Sequence, residues 1–248
     1  MDTLACSRAR IPEVAAVGPV AVKQTFPAEL LRPGDDGGLR IGESRFGADG
    51  LRGRAEAGGR AASWELALDG PAPPLAHLGG ERMYRSPLPR TKLCSPRPAV
   101  RASGVVTIDG RWVELDGWPG MVGHNWGEQH AERWLWLQGA LGDPDDGAWL
   151  DVAVARVRLG RVVTPWLATG ALSLDGARHP LGGPGRWRGT RIAEGVEGCD
   201  FVVPGRQVSV RGTVRAAAYE LGMREHDHGI PLQPFPDGPA QSSSSPVQ

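Results

Sequence analysis

Apolar and polar side chains alternate in short runs along much of the chain, which is the two-residue period of half-buried β-strands. Helical periodicity never persists for more than about two turns. Gly-rich polar stretches at 32–38 and 47–60 predict loops. The pattern therefore predicts an all-β protein with very little helix. Its predicted strands include Val20–Phe26, Ser63–Leu68, Arg133–Leu141, Trp149–Arg158 and Val208–Arg215.

Two Asp-Gly dipeptides stand between strand-like runs. Asp109-Gly110 separates Val105–Ile108 from Arg111–Leu115, and Asp175-Gly176 follows Leu172–Leu174. Both residues of a type I′ turn need positive φ, and Asp-Gly accepts this readily, so the first dipeptide predicts a hairpin and the second is a further candidate. Several strands joined by short turns favour a β-barrel or a β-sandwich.

The domain organisation follows from composition along the chain. Residues 1–19 are predicted to be a poorly ordered N-terminus, and the Ser-rich residues 238–248 a disordered tail. A seam near residue 116 divides the rest into two β halves, 20–115 and 116–237.

Charge and composition give no support to several classes of partner. Lys and Arg total 28, as do Asp and Glu, so the net charge gives no electrostatic reason to expect nucleic acid or an acidic membrane. No apolar run is long enough for an integral membrane segment. There is no phosphate-binding loop of the Walker type and no GxGxxG. Three isolated cysteines and no apolar leader favour a reduced, cytoplasmic protein.

The most unusual stretch is Asp116–Trp136, which holds four of the nine tryptophans and two of the six histidines. In the strand that follows, Trp134, Trp136 and Gln138 share one face, and Leu135 and Leu137 share the other. The indoles face either a cavity, where they stack on a planar ligand, or a packed core between sheets.

This segment resembles a known family. Asn125-Trp126-Gly127, followed by Arg133–Gln138, is similar to the tocopherol cyclase group, which belongs with carotenoid hydratases of the hydroxyneurosporene synthase type. The resemblance covers about residues 85–140. It implies two lipocalin-like β-barrel or sandwich halves packed together, and action on prenylated or polyene molecules without a redox cofactor. The hydratases carry an acid three positions before the Trp, where this chain has Gly123.

His124 is the best candidate for acid–base work, because imidazole titrates near neutrality. Asn125 and Glu128 complete the predicted catalytic set, unless these side chains only bind turn backbone. Arg90 and Lys92, from the Pro-rich stretch 85–98, either face an anionic group of the substrate or lie on a solvated crossover. The predicted substrate-binding residues are Trp118, Trp126, His130, Trp134, Trp136, Gln138, Arg90 and Lys92.

Two functions from different classes follow. One is a cofactor-free cyclase, isomerase or lyase that acts on an apolar prenyl, polyene or polyketide-like molecule. The other is a non-catalytic carrier of an apolar ligand, since a fold does not fix a function. A third, weaker hypothesis is a metal enzyme that uses the His124 cluster or His226 and His228; the spacing fits no strong metal motif, so no metal is expected.

Overall fold

The computed structural model describes residues 22–34, 38–70, 73–128, 131–141, 147–195 and 198–215. Strands dominate, and every strand pair with an assigned register is antiparallel. Among these residues, helical structure is confined to α1 (Glu81–Arg85) and two short 3-10 helices, Ala28–Leu30 and Trp187–Gly189. The prediction of an antiparallel all-β protein with very little helix is thus confirmed for these residues. The strands in chain order are β1 (Leu31–Pro33), β2 (Leu39–Ile41), β3 (Ser44–Phe46), β4 (Gly50–Ala57), β5 (Arg60–Asp69), β6 (Leu75–Ala76), β7 (Thr91–Ile108), β8 (Arg111–Gly127), β9 (Arg133–Ala140), β10 (Trp149–Arg156), β11 (Arg158–Leu159), β12 (Val162–Val163), β13 (Leu167–Leu174), β14 (Ala177–Gly182), β15 (Arg191–Gly195), β16 (Gly198–Pro204) and β17 (Ser209–Arg215).

Both Asp-Gly turns form hairpins. Asp109 has φ 48° and Gly110 has φ 81°, between β7 and β8, which pair. Asp175 has φ 51° and Gly176 has φ 72°, between the paired strands β13 and β14. Positive φ at both central residues matches the right-handed twist of the flanking strands. Local turn chemistry therefore fixes these two connections.

The chain divides into two compact units that are discontinuous in sequence. The larger unit takes the described residues of 73–98 and 121–215, and the smaller unit takes those of 22–70 and 99–120. Residue 116, where the sequence places a seam, lies inside β8. The halves 20–115 and 116–237 stay a prediction, and the termini 1–19 and 238–248 lie outside the described residues.

The larger unit contains a sandwich of two antiparallel sheets. One has the strand order β14-β13-β10-β9, and the other has the order β15-β16-β17. Their facing side chains form one apolar cluster, in which Val154 and Val203 are 0% exposed. The cluster consists of Leu137, Leu141, Ala148, Leu150, Val152, Val154, Ala168, Leu172, Leu181, Phe201, Val203 and Val210.

The opposite face of the four-stranded sheet carries polar and aromatic side chains. Side chains alternate across a strand, and directly paired residues point to the same side. Asp151 of β10 pairs with Gln138 of β9, and Ala153 pairs with Trp136. Leu137 contributes to the apolar cluster, so Trp136, Gln138 and Asp151 point away from it. The predicted division of β9 into a Trp face and a Leu face is confirmed.

The smaller unit contains a sheet in which β1 to β5 are neighbours in chain order and residues 101–108 of β7 pair with β5. Leu39 pairs with Phe46, Phe46 with Leu51, and Leu51 with Leu66, which makes a continuous apolar row on one face. The alternating positions on the other face are mainly charged and small residues.

Several predictions fail in the described residues. The predicted loop 47–60 contains β4, and the Pro-rich stretch 85–98 enters β7 at Thr91. Residues 22–26 are not in a strand. The sequence favours a barrel or a sandwich. Of these two, no closed barrel is formed by the described residues: the largest sheet runs β1-β2-β3-β4-β5-β7-β6, with β8 paired to β7 beside this path. Among the described residues, no helix has the length and apolar character needed to cross a bilayer.

Candidate functional site

The last part of β8 carries the segment Gly123–Gly127, and two glycines let it approach its neighbours. A Cβ atom on Gly123 would lie 2.6 Å from Cη2 of Trp136. At Gly127, which has φ 143°, a Cβ would lie 2.1 Å from the carbonyl oxygen of Arg90. Only glycine fits these close approaches, so the segment is held against Trp136 on one side and against the start of β7 on the other.

An aromatic stack lies on this segment, formed by Tyr84, His124 and Trp126. The rings of His124 and Trp126 have centroids 4.9 Å apart and an interplanar angle of 18°. Tyr84 also stacks on Trp126, at 5.9 Å and 20°. Trp126 is 41% exposed, so a large aromatic surface remains in contact with solvent. Such a surface offers a planar molecule an aromatic platform.

Two hydrogen bonds to backbone atoms hold the side chain of Tyr84 in the aromatic stack. Its hydroxyl donates a hydrogen bond to the carbonyl of Leu93 (2.8 Å) and accepts one from the amide of Leu78 (3.3 Å). These bonds join α1 to the segments on either side of it. Because both partners are backbone atoms, the position of the phenol ring does not depend on the identity of other side chains.

Behind the segment lies a buried polar cluster that the sequence did not predict. We call His77, Ser95, Trp136, Asp151 and Thr169 the buried cluster. The indole Nε1 of Trp136 donates to Oδ1 of Asp151 at 2.8 Å. Asp151 and Ser95 are 0% exposed. The cluster therefore links the indole that contacts Gly123 to a carboxylate inside the larger unit.

His77 connects the remaining members of the buried cluster. Its Nδ1 lies 3.2 Å from the carbonyl oxygen of Thr169, and its Nε2 lies 3.2 Å from Oγ of Ser95 and 3.5 Å from Oδ1 of Asp151. A carbonyl only accepts, so Nδ1 carries a proton. The hydroxyl of Thr169 donates in turn to the carbonyl of His77. The ring is thus fixed in place by both of its nitrogens.

Ser95, His77 and Asp151 are the residue types of a hydrolytic triad, but their geometry is different. In a triad the carboxylate holds Nδ1 and the serine faces Nε2. Here both Ser95 and Asp151 face Nε2, and the side chains of His77 and Asp151 are 0% exposed. The buried cluster therefore suits a structural role better than nucleophilic attack on a substrate.

Lys92 and Arg90 differ sharply in their surroundings. Lys92 is buried, and its ammonium donates to the carbonyl oxygens of Met83 (2.8 Å), Ser86 (2.8 Å) and Pro89 (2.6 Å). An ammonium has three protons, so each one has an acceptor. The lysine thereby ties the turn after α1 to β7. Arg90 is exposed, and its carbonyl, not its guanidinium, lies against Gly127.

The structure brings only some of the other predicted site residues together. His124, Asn125 and Glu128 are all exposed along the end of β8. Trp134 is 46% exposed, and Gln138 is half-buried beside Asp151 in the strand register. Trp118 belongs to the smaller unit, and His130 lies outside the described residues, as do His226 and His228. No cluster of three metal-ligating side chains exists within the described part of the chain.

Two concave surfaces lie away from the predicted residues. One, of about 300 Å³, lies on β15–β17 and includes Arg191, Val202 and Arg211. The other, of about 770 Å³, lies at the Asp109-Gly110 hairpin of the smaller unit. Neither is lined by a predicted site residue, so the tryptophan-lined pocket stays a prediction.

The described thiols are poor nucleophiles. Burial raises the pKa of Cys94. Burial, followed by the nearby carboxylates of Glu194 and Asp200, raises the pKa of Cys199. Because the thiolate is the reactive form, a raised pKa keeps both side chains protonated and unreactive at neutral pH.

Similarity to known proteins is confined to part of the chain. No protein-family profile matches it, and no solved structure matches it. Two uncharacterised proteins of Mycobacterium tuberculosis, from the strains CDC 1551 / Oshkosh and ATCC 25618 / H37Rv, are each 34% identical over 86 residues. The matching stretch is 35% of this chain and 26% of each relative's length. These matches carry no activity over to this chain.

Proposed function

We propose that this protein binds an apolar, planar small molecule on the aromatic stack of Tyr84, His124 and Trp126 and does not convert it. The observation that carries the proposal is the indole of Trp126, which contacts Tyr84 and His124 yet remains 41% exposed instead of being buried in the core. Aromatic pairs stabilise contact by about 0.5–1.5 kcal/mol beyond the area they bury.

Binding is favoured over turnover by the surroundings of the predicted catalytic residues. Cyclisation or hydration of a polyene passes through reactive intermediates that must be kept from bulk water. His124, Asn125 and Glu128 are exposed, and within the described residues no hydrogen bond connects them. An exposed imidazole suits recognition of a ligand better than control of such an intermediate.

The resemblance to the tocopherol cyclase group supports the same ligand class, because that group handles prenylated and polyene molecules. We extend the proposal to its lipocalin-like arrangement of two β halves and to a reducing, cytoplasmic setting, which suits the free thiols of Cys94 and Cys199.

The test is a binding titration with all-trans-retinol, a polyene whose own fluorescence reports binding. Trp126→Leu should weaken retinol binding about tenfold, the equivalent of 1.4 kcal/mol. Trp187→Leu is the matched control, because Trp187 is 39% exposed in the same unit but is not part of the aromatic stack. Equal affinities of both variants and the wild type, or no retinol binding at all, would refute the proposal.

The enzyme hypothesis is tested in the same samples. Chromatography of retinol after incubation with the protein reports any product, and a wild-type product that disappears in His124→Ala would make His124 catalytic. Intact retinol recovered from both proteins would support the carrier.

A further inference from the structure

Four arginines stand in one straight row across the smaller unit's sheet. Arg32 of β1 pairs with Arg40 of β2, Arg40 with Arg45 of β3, and Arg45 with Arg52 of β4. Directly paired residues point to the same face, so the four side chains project together. All four are exposed. We call them the arginine row.

The arginine row is unfavourable for the sheet by itself. Like charges directly opposite each other destabilise a strand pair, and here three successive pairs repel. Two acidic side chains contact the row: Asp49 lies 3.8 Å from Arg45, and Glu65 lies 3.9 Å from Arg52, both in exposed pairs. Exposed ion pairs of this kind contribute roughly 0–1 kcal/mol. Asp35 and Asp36, between β1 and β2, lie outside the described residues.

We propose that the arginine row binds the phosphate backbone of a single-stranded nucleic acid. Guanidinium groups bind phosphate oxygens in a bidentate manner, which favours arginine for this contact. Neighbouring strands are about 4.8 Å apart, so four strands place the outer arginines roughly 14 Å from each other. A flexible linear polyanion can follow such a row and neutralise several guanidinium groups at once.

The surroundings favour nucleic acid over an anionic membrane. Binding to a membrane surface strengthens with the apolar area that inserts beside the basic side chains. Leu39 and Phe46 are 51% and 39% exposed, but strand alternation places them on the opposite face of the sheet. Strands β1 to β5 carry no aromatic side chain on the face of the arginine row, so binding there rests on phosphate contacts, which carry no sequence information.

The balanced composition of the chain does not exclude this interaction. A net charge of zero averages the whole sequence, whereas strand register decides which charges stand together. Local positive potential, rather than the net charge, attracts a polyanion to a surface.

The experiment measures the anisotropy of a fluorescein-labelled oligothymidine with the full chain, from about 20 to 200 mM salt. The test variant is R32Q/R40Q/R45Q/R52Q. The matched control, R191Q/R206Q/R211Q/R215Q, removes the same charge from exposed positions on or beside β15–β17. We expect the test variant to bind at least about tenfold more weakly, with the salt slope reduced by about 0.7 for each lost phosphate contact. The control should change affinity by less than about twofold.

Three outcomes would overturn the proposal. They are no oligothymidine binding by the wild type at low salt, an equal loss in the matched control, and binding to phosphatidylserine vesicles in place of the oligonucleotide. If the fourfold glutamine variant fails to fold, the double variant R40Q/R45Q decides the question beside the control R191Q/R211Q. A salt slope reduced by about 1.4 in R40Q/R45Q alone supports the proposal, and equal slopes in the two double variants refute it.

Discussion

The carboxylate of Asp151 has an unusual environment for a fully buried group. Its Oδ1 accepts the indole hydrogen of Trp136 and faces His77, whereas Oδ2 has no hydrogen-bond partner among the described residues. A buried polar group is costly unless it is paired, so the contacts of Asp151 with Trp136 and His77 offset the burial of its carboxyl group. Removing either partner leaves the other one uncompensated.

Asp151→Asn keeps the shape of the side chain but removes the carboxyl group that faces His77. We expect it to lower the free energy of unfolding by about 3 kcal/mol, because a broken buried pair leaves His77 without its partner. Urea denaturation measures this. In the double variant His77→Gln/Asp151→Asn the cost should be smaller than the sum of the single costs by at least about 1 kcal/mol.

Asp200→Asn is the control that removes a carboxylate charge from an exposed position instead of a buried one. Asp200 is exposed and accepts a hydrogen bond from Thr213 at 2.6 Å, so its substitution should cost less than about 1 kcal/mol. Strictly additive costs at His77 and Asp151 would show that the two side chains do not act as a pair.

At the scale of the elements, the position of the end of β8 depends on the close contact between Gly123 and Trp136. Gly123 lies against the indole of Trp136, which Asp151 holds by its hydrogen bond. Gly123→Ala should therefore displace β8 or Trp136, cost about 1–3 kcal/mol in unfolding free energy, and disturb the neighbouring aromatic stack. Thermal unfolding together with the retinol titration measures both effects.

Gly195→Ala is the matched control for this strand glycine. At Gly195 of β15 the nearest atom to an added Cβ is the Gly198 carbonyl oxygen at 3.5 Å, an ordinary contact. A loss of stability equal to that of Gly123→Ala would mean that glycine replacement in a strand, and not the contact with Trp136, is responsible.

Elements defined by local chemistry were predictable from the sequence. The hairpins at Asp109-Gly110 and Asp175-Gly176 follow from turn residues, β17 follows from alternation, and β9 and β10 follow from β-rich runs separated by a turn signal. The loop predicted at 47–60 fails because glycines and arginines weigh against a strand in a propensity reading, yet β4 gains its stability from pairing with β5. Propensity for strands depends strongly on such context.

The buried cluster was not predictable in the same way. His77 and Ser95 lie in a Pro-rich region without a periodic pattern, and their partners Asp151 and Thr169 are far away in sequence. The one local signal was Asp151 itself, a carboxylate within the apolar run of β10. For the aromatic stack, the sequence predicted His124 and Trp126 but not Tyr84, which α1 supplies.

In the chain as a whole, the sandwich of the larger unit holds an extended apolar core. Val154 is 0% exposed at its centre, whereas Val162 of β12 is 67% exposed. Removing two methyl groups from a packed interior loses their transfer free energy and leaves a cavity, because the surrounding residues relax only in part. Val154→Ala should therefore lower the free energy of unfolding by about 2 kcal/mol, and Val162→Ala, which removes the same atoms from a solvated position, should change it by less than about 0.5 kcal/mol. Urea denaturation of the two variants measures the difference, and similar costs would mean that the sandwich does not determine the stability of the protein.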